Sequence, residues 1–87
     1  METKIVTTKI QDLVELYSES FNDKRGLFLN AYRLGESGFK SSWKSRKIAQ
    51  VNVSLTRSVG FIRGLHYQLS PYEEAKLVRC LKGKVWD

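Results

Sequence analysis

The clearest pattern in the chain is an alternation of polar and apolar positions over residues 48–56. One face of an extended segment there would carry two amides and a hydroxyl, Gln50, Asn52 and Ser54, and the other would carry Val51, Val53 and Leu55. The pattern predicts a β-strand. Amides and hydroxyls are recognition groups, so this face either meets a ligand or is the outer face of a sandwich, and the alternation alone leaves both open.

Shorter stretches with strand character surround this segment. A β-branched run at residues 5–8 predicts a first strand. Residues 10–17 are ambiguous, because Ile10, Leu13, Val14 and Tyr17 have helical spacing, but the neighbouring segments favour a strand. Further strands are predicted at residues 27–32, 59–68 and 75–81, with another beginning at residue 85.

Turn-forming and polar residues separate these strands. Turns are predicted at residues 21–26 and 70–74, a hairpin connection at 82–84, and a polar loop at 35–45. Several short strands at this spacing indicate a sandwich or barrel, so the fold class is all-β. The last strand only begins where the sequence stops. We therefore expect residues 1–87 to be a single, partial domain of a truncated product.

Composition and charge narrow the class of protein. A chain of 87 residues with 41% hydrophobic and 28% charged residues fits one soluble domain. The absence of a long apolar run and of a secretory h-region predicts no membrane association. The single cysteine, Cys80, excludes an internal disulfide and fits a reducing compartment, so we expect a cytoplasmic protein.

The excess of basic residues favours an anionic partner. Lysine and arginine number 15 against 9 acidic residues, which gives a net charge of +6. The densest basic group is Lys40, Lys44, Arg46 and Lys47. It is either a solvated loop or a phosphate-contacting patch, and we favour the solvated loop because a charge run without a motif has little specificity.

The inventory of reactive side chains excludes most cofactor chemistry. One histidine and one cysteine cannot supply a three-histidine or Cys/His metal site within one chain, so we expect no metal. The sequence also lacks a P-loop, a G-x-G-x-x-G motif and a G-x-S-x-G elbow, and we expect no cofactor. Organic acid–base catalysis or binding remains.

Two ionisable residues stand out. His66 follows Arg63 and Gly64, and a bulge at Gly64 could turn both side chains into one cavity; the alternative is a half-buried, hydrogen-bonded His66 beside a surface arginine. Lys76 shares a strand face with Val78 and Cys80. A lysine there is either an edge residue that discourages aggregation or a cation near an oxyanion.

Three motifs resemble those of the dTDP-4-dehydrorhamnose 3,5-epimerase family. Residues 21–28, FNDKRGLF, are similar to its F-x-D-x-R-G-x-F motif, and residues 50–54, QVNVS, to its Q-x-N-x-S strand. Residues 60–68, GFIRGLHYQ, resemble its G-x-x-R-G-L-H-Y-Q signature, with AKLVR at 75–79 and GKVWD at 83–87 continuing in order. The pair of RGLHYQ and AKLVR is the most specific part of this resemblance.

The resemblance implies an incomplete, cupin-like jelly roll and a homodimer with exchanged N-terminal strands. It implies epimerisation of a dTDP-4-keto-6-deoxyhexose by proton abstraction next to the C4 ketone. It assigns His66 as the base and Lys76 as the cation that stabilises the enolate. The implied substrate contacts are Arg25 and Arg63 at the diphosphate, Gln50 and Asn52 at the sugar, and Phe21 and Phe28 beside the nucleotide.

Two departures from the family pattern keep other interpretations open. Asn30 stands where the family usually has an acidic residue that contacts the nucleobase. The family's acid tyrosine has no counterpart in Tyr67 or Tyr72, so we expect no exchange activity from these 87 residues alone. A catalytically inactive sugar-nucleotide-binding or assembly fragment is the alternative. A basic β-barrel that binds nucleic acid is a weaker interpretation, because charge alone supports it, and we expect no nucleic-acid partner.

Overall fold

In a computed structural model, which describes residues 3–44 and 46–87, the chain forms four strands and one short helix. The elements are β1 (Thr3–Thr7), β2 (Val14–Ser18), β3 (Ser20–Asp23), β4 (Gly26–Leu29) and α1 (Ser37–Trp43). The chain divides into an N-terminal unit, Met1–Gln50, and a C-terminal unit, Val51–Asp87. All five elements belong to the N-terminal unit.

Strands β1 and β2 form an antiparallel hairpin that resolves the ambiguity over residues 10–17. Its register pairs Thr3 with Ser18 and Thr7 with Val14. The hydroxyl of Thr8 closes the connection by donating to the carbonyl oxygen of Leu13 at 2.8 Å and accepting the Ile10 N–H at 3.1 Å. The apolar residues with helical spacing therefore lie partly in the connection, at Ile10 and Leu13, and partly in β2. The predicted strand is confirmed for Val14–Ser18.

Strands β3 and β4 form a second antiparallel hairpin with a two-residue connection, Lys24 and Arg25. The register pairs Phe21 with Phe28 and Asp23 with Gly26. The turn predicted at residues 21–26 is thus shorter than expected, because Ser20–Asp23 is already a strand. Gly26 has φ of +135°, a conformation that L side chains rarely adopt, which explains a glycine directly after the turn.

Helix α1 replaces most of the polar loop predicted at residues 35–45, whose last residue, Ser45, lies outside the described residues. Glu36 caps the helix with its side chain, which accepts the N–H groups of Gly38 at 3.2 Å and Phe39 at 3.4 Å. The same carboxylate accepts the Thr3 N–H at 2.8 Å. The loop prediction was wrong because this cap joins the start of the helix to β1, 33 residues earlier in the chain.

A small core forms where α1 packs. Phe39 is 3% exposed, and its ring meets that of Tyr32 edge-on with 5.0 Å between the centroids. At the other end of the helix, the Arg46 guanidinium donates to the carbonyl oxygens of Trp43 at 3.1 Å and Ser42 at 3.4 Å. The basic group at residues 40–47 is therefore not a simple solvated loop, since Lys40 lies in α1 and Arg46 binds its last carbonyls.

The C-terminal unit has turns but no strand among its described residues. The turn predicted at residues 70–74 is confirmed by a hydrogen bond from the Tyr72 N–H to the Leu69 carbonyl at 2.8 Å. The strands predicted at residues 48–56, 59–68, 75–81 and 85–87 are not formed. Alternation marks a segment that can line a sheet, but a strand exists only when a neighbour takes its backbone hydrogen bonds.

The fold class is confirmed: the chain is an all-β, cupin-like fragment of antiparallel hairpins with little helix, and no sheet closes within residues 3–44 and 46–87. The expectation of a single partial domain stays a prediction. Among the described residues, no helix has the length and apolar character needed to cross a membrane.

Candidate functional site

The β3–β4 hairpin brings two candidate residues together on one face. Phe21 and Phe28 are directly opposite each other in the register and are 49% and 62% exposed. Directly opposed side chains of an antiparallel pair lie on the same face with Cβ atoms about 4.5–5.5 Å apart. The two rings therefore offer an exposed aromatic surface, available for stacking against a planar ligand.

Arg25 lies at the tip of the same hairpin and is held there by Asp23. Its Nη2 is 2.6 Å from Asp23 Oδ2, its Nε is 3.2 Å from the same oxygen, and its backbone N–H donates to Asp23 Oδ1 at 2.8 Å. The hydrogen bonds from Arg25 lower the pKa of Asp23, and the Asp23 carboxylate raises the pKa of Arg25. Both groups are therefore charged at neutral pH.

Asp23 is the residue at this site to which the sequence interpretation gave no role. It lies within the F-x-D-x-R-G-x-F motif, two positions before Arg25 and three before Gly26. An aspartate at the first position of a tight turn commonly accepts the N–H two residues later. The spacing of Asp23 and Arg25 was therefore the sequence signal for this contact. It also brings the carboxylate within reach of the arginine side chain.

The other predicted diphosphate ligand, Arg63, has contacts within its own unit. Its Nη2 donates to the Leu55 carbonyl oxygen at 3.1 Å and its Nε to the Thr56 hydroxyl at 3.3 Å. These bonds join residues 55–56 to residue 63 across the turn at 58–60. The guanidinium is exposed, and its role as a phosphate ligand stays a prediction.

His66 lies against Gly64, the glycine expected to redirect the chain. Gly64 has φ of +109°, and a Cβ added there would lie 3.1 Å from His66 Nδ1 and 3.2 Å from the His66 backbone nitrogen. Both the backbone conformation and the space therefore favour glycine. The bulge itself is not formed, because residues 59–68 are not in a strand.

The candidates of the C-terminal unit are not joined to one another. Within the described part of this unit, no hydrogen bond or ion pair links Arg63, His66 and Lys76, and all three are exposed. Gln50 and Asn52 are also exposed and fall on either side of the division between the units. The prediction that these five residues face a common cavity is not tested by this arrangement and stays a prediction.

A surface depression and the arrangement of possible metal ligands are the two other features that bear on a site. A shallow depression on the β1–β2 hairpin contains none of the candidate residues; it is lined by Thr3, Lys4, Tyr17, Ser18 and Glu19. Over residues 3–44 and 46–87, no group of three or more His, Cys, Asp or Glu side chains is placed to hold a metal ion.

Comparison with known proteins gives these features a context. The sequence profile of the dTDP-4-dehydrorhamnose 3,5-epimerase family matches residues 7–87. A dTDP-4-dehydrorhamnose 3,5-epimerase of Shigella flexneri is 37% identical over 84 residues, which are 95% of this chain and 45% of that protein. One from Sinorhizobium fredii is 40% identical over 67 residues, covering 77% of this chain and 33% of the relative.

A third relative carries a different name. A dTDP-4-dehydrorhamnose 3-epimerase of Streptomyces niveus is 32% identical over 78 residues, 90% of this chain and 37% of that protein. The chain thus spans less than half the length of these relatives. No solved structure matches it significantly. Because the family profile covers nearly all of its residues, the chain belongs to the dTDP-4-dehydrorhamnose 3,5-epimerase family.

Proposed function

We propose that this chain supplies the base and the nucleotide contacts of a sugar-nucleotide epimerase that acts on a dTDP-4-keto-6-deoxyhexose. The observation that carries the proposal is the family match over residues 7–87, because that range includes every candidate site residue. The catalytic candidates are His66 and Lys76. The binding candidates are Phe21, Arg25, Phe28, Gln50, Asn52 and Arg63.

The proposed chemistry is proton removal and return beside a ketone. The neutral His66 imidazole takes the proton from a carbon next to the C4 carbonyl, and the electron pair moves onto the carbonyl oxygen to form an enolate. The Lys76 ammonium stabilises that oxyanion. A separate acid then returns a proton to the opposite face of the same carbon, which inverts its configuration without oxidation or a cofactor.

The proposed binding contacts match the chemistry of three kinds of side chain: arginine, phenylalanine and amide. An arginine guanidinium matches the oxygens of a diphosphate in a bidentate geometry, which suits Arg25 and Arg63. The opposed rings of Phe21 and Phe28 provide an apolar border for the nucleotide. Gln50 and Asn52 would bind the sugar hydroxyls through their amides. The assembly proposed with this function is a cytoplasmic homodimer with exchanged N-terminal strands.

The test is isotope exchange in a chimaera. This chain replaces the matched 84 residues of the Shigella flexneri relative, and dTDP-4-keto-6-deoxyglucose is incubated with the chimaera in D2O. We expect deuterium to enter the sugar, and we expect His66→Ala to slow its entry by about a hundred- to ten-thousand-fold, the usual contribution of a general base. Mass spectrometry counts the deuterons and so distinguishes exchange at one carbon from exchange at two.

The control is Lys82→Ala, which removes a charge from the connection at residues 82–84, outside the proposed site. It should exchange deuterium at the rate of the unsubstituted chimaera. Circular dichroism of each variant checks that the chimaera is folded. A folded chimaera that incorporates no deuterium, or one whose exchange survives His66→Ala, would refute the proposed function and favour the interpretation as an inactive fragment.

A further inference from the structure

The contact between Asp23 and Arg25 is more extensive than the hairpin turn requires. A turn of this kind needs one carboxylate oxygen to accept the Arg25 backbone N–H, and Oδ1 does so at 2.8 Å. The second oxygen, Oδ2, is within 2.6 Å of Arg25 Nη2 and 3.2 Å of Nε. One carboxylate therefore orders both the backbone and the side chain of the same arginine.

The contact also divides the guanidinium into an occupied edge and a free edge. Asp23 takes the edge formed by Nε and Nη2. Among the described residues, the side-chain hydrogen bonds of Arg25 are all made by Nε and Nη2, and the Arg25 side chain is 91% exposed. The edge formed by Nη1 and Nη2 is open to solvent, and it is the end-on fork that can bind two oxygens of a phosphate.

The position of Asp23 on β3 determines which face of the hairpin receives this cation. Residues two apart on a strand share a face, so Asp23 lies on the face of Phe21, and its partner Gly26 lies beside Phe28. Apart from its chain neighbours Arg25 and Leu27, nothing lies within 4 Å of a Cβ built on Gly26, so no more distant residue fills the place opposite Asp23. The carboxylate thus draws the guanidinium to the face that holds the two aromatic rings.

We propose that Asp23 is the positioning residue for Arg25, which it holds on the Phe21–Phe28 face with one guanidinium edge free for the diphosphate of a nucleoside diphosphate. This inference rests on the proposed function. Two residues along a strand span about 6.6 Å, a separation comparable to that of a base and its diphosphate across one ribose. The aromatic pair and the cation are then spaced to bind the two ends of one nucleotide.

Positioning offsets the electrostatic cost of the nearby carboxylate. An exposed arginine side chain is free to adopt many rotamers, and binding a ligand with it costs conformational entropy. Asp23 restricts those rotamers before the ligand arrives. The lowered pKa of Asp23 means that this restraint persists throughout the neutral range. A diphosphate has more than one negative charge, and Lys24 beside Arg25 adds a second cation at the same tip.

The test measures dTDP binding by the 87-residue chain in a double-mutant cycle, with isothermal titration calorimetry. We expect Arg25→Ala to weaken binding by about 10- to 100-fold, as for loss of a charged hydrogen-bond donor. Asp23→Ala should weaken it by about two- to fivefold when Arg25 is present, the range for an exposed charge pair. In the Arg25→Ala background, only the backbone N–H of residue 25 remains as a partner of Asp23, so Asp23→Ala should have a smaller effect there. A general structural role would weaken binding equally in both backgrounds.

A second measurement and a conservative variant keep the outcomes distinct. In ¹⁵N spectra of the free chain, the Arg25 Nε–H should exchange slowly with water and lose this protection in Asp23→Ala, and Asp23→Glu should restore part of both effects. Unchanged or tighter dTDP binding in Asp23→Ala, while Arg25→Ala still loses it, would overturn only the positioning role. No dTDP binding by the unsubstituted chain would overturn that role and the nucleotide-binding part of the proposed function together.

Discussion

The two units differ sharply in how much regular secondary structure and buried apolar surface they contain. The N-terminal unit has two hairpins, a capped helix and a buried aromatic residue, Phe39. The C-terminal unit holds the more specific motifs, yet its apolar side chains are exposed: Val53 is 85% exposed and Leu77, the least exposed of its large apolar residues, is 43% exposed. A strong sequence motif and a locally stable structure are therefore separate properties.

The cause of the difference is the sequence distance over which each unit must make its contacts. Phe21 and Phe28 are seven residues apart and are paired by a two-residue turn. A jelly roll pairs strands that are far apart in sequence, and such contacts cost more loop-closure entropy. The hairpin residues proposed to contact the nucleotide can thus be ordered locally. The proposed catalytic residues His66 and Lys76 lie in segments that have no strand partner within the described residues.

The largest expected effect of this difference is on the stability contributed by two phenylalanines, one in each unit. Phe39 is 3% exposed and Phe61 is 72% exposed. We expect Phe39→Ala to lower the free energy of unfolding of the N-terminal unit by about 3–5 kcal/mol, since it leaves a cavity beside Tyr32. The matched control, Phe61→Ala, should change it by less than about 0.5 kcal/mol. Urea unfolding followed by Trp43 fluorescence, in a Trp86→Phe background that removes the other tryptophan, measures both effects. Equal effects would show that the units do not differ as described.

A smaller effect is expected at the approach of α1 to β1. A Cβ on Gly38 would lie 2.7 Å from the Thr3 Cβ and 2.9 Å from the Thr3 carbonyl oxygen. Alanine normally stabilises a helix relative to glycine by about 1 kcal/mol. Here we expect Gly38→Ala to destabilise the unit by about 1–3 kcal/mol, because the overpacked backbone must move.

The control for this substitution is Lys40→Ala in the same helix. Lys40 is exposed, so its replacement should shift stability by less than about 0.5 kcal/mol. Thermal unfolding followed by far-ultraviolet circular dichroism compares the two variants. A more stable Gly38→Ala would show that α1 does not pack against Thr3 in solution.

The smallest expected effect is a pH dependence confined to the N-terminal unit. Partial desolvation acts to raise the pKa of Glu36, but hydrogen bonds from Thr3, Phe39 and Gly38 outweigh it and lower the pKa to about 2. A folded-state pKa below the unfolded value of 4.5 means that the stabilisation is fully present above pH 4.5. It is lost as the pH falls from there through about 2, the folded-state pKa.

Helix content measured by circular dichroism between pH 6 and pH 2 checks this dependence. The unsubstituted chain should lose helix as the pH falls, and Glu36→Gln should have lower helix content with a flatter profile. Glu73→Gln, in the C-terminal unit, should reproduce the unsubstituted profile. An unsubstituted chain whose helix content stays constant down to pH 2 would contradict the capping role of Glu36.

Part of this structure could be predicted from local sequence patterns, and the helix shows where that method failed. The strand near residue 5 and the turn at residues 70–74 were predicted because their signals, β-branched residues and a proline, act on their immediate neighbours. Phe39 and Trp43 have the i, i+4 spacing of a helix, and that signal was available. It was masked by the serines, glycine and lysines around it, which are typical of loops.

By itself, the sequence determined the family, the all-β class and the residues proposed for binding and catalysis, because these depend on residue identity and short spacing. The tertiary structure was needed to show that Glu36 joins α1 to β1. It also decided that the alternating segments of the C-terminal unit remain unpaired. Alternation indicates which face of a segment can be buried. Strand pairing also requires a neighbouring strand whose contacts offset the entropy lost when distant residues are brought together.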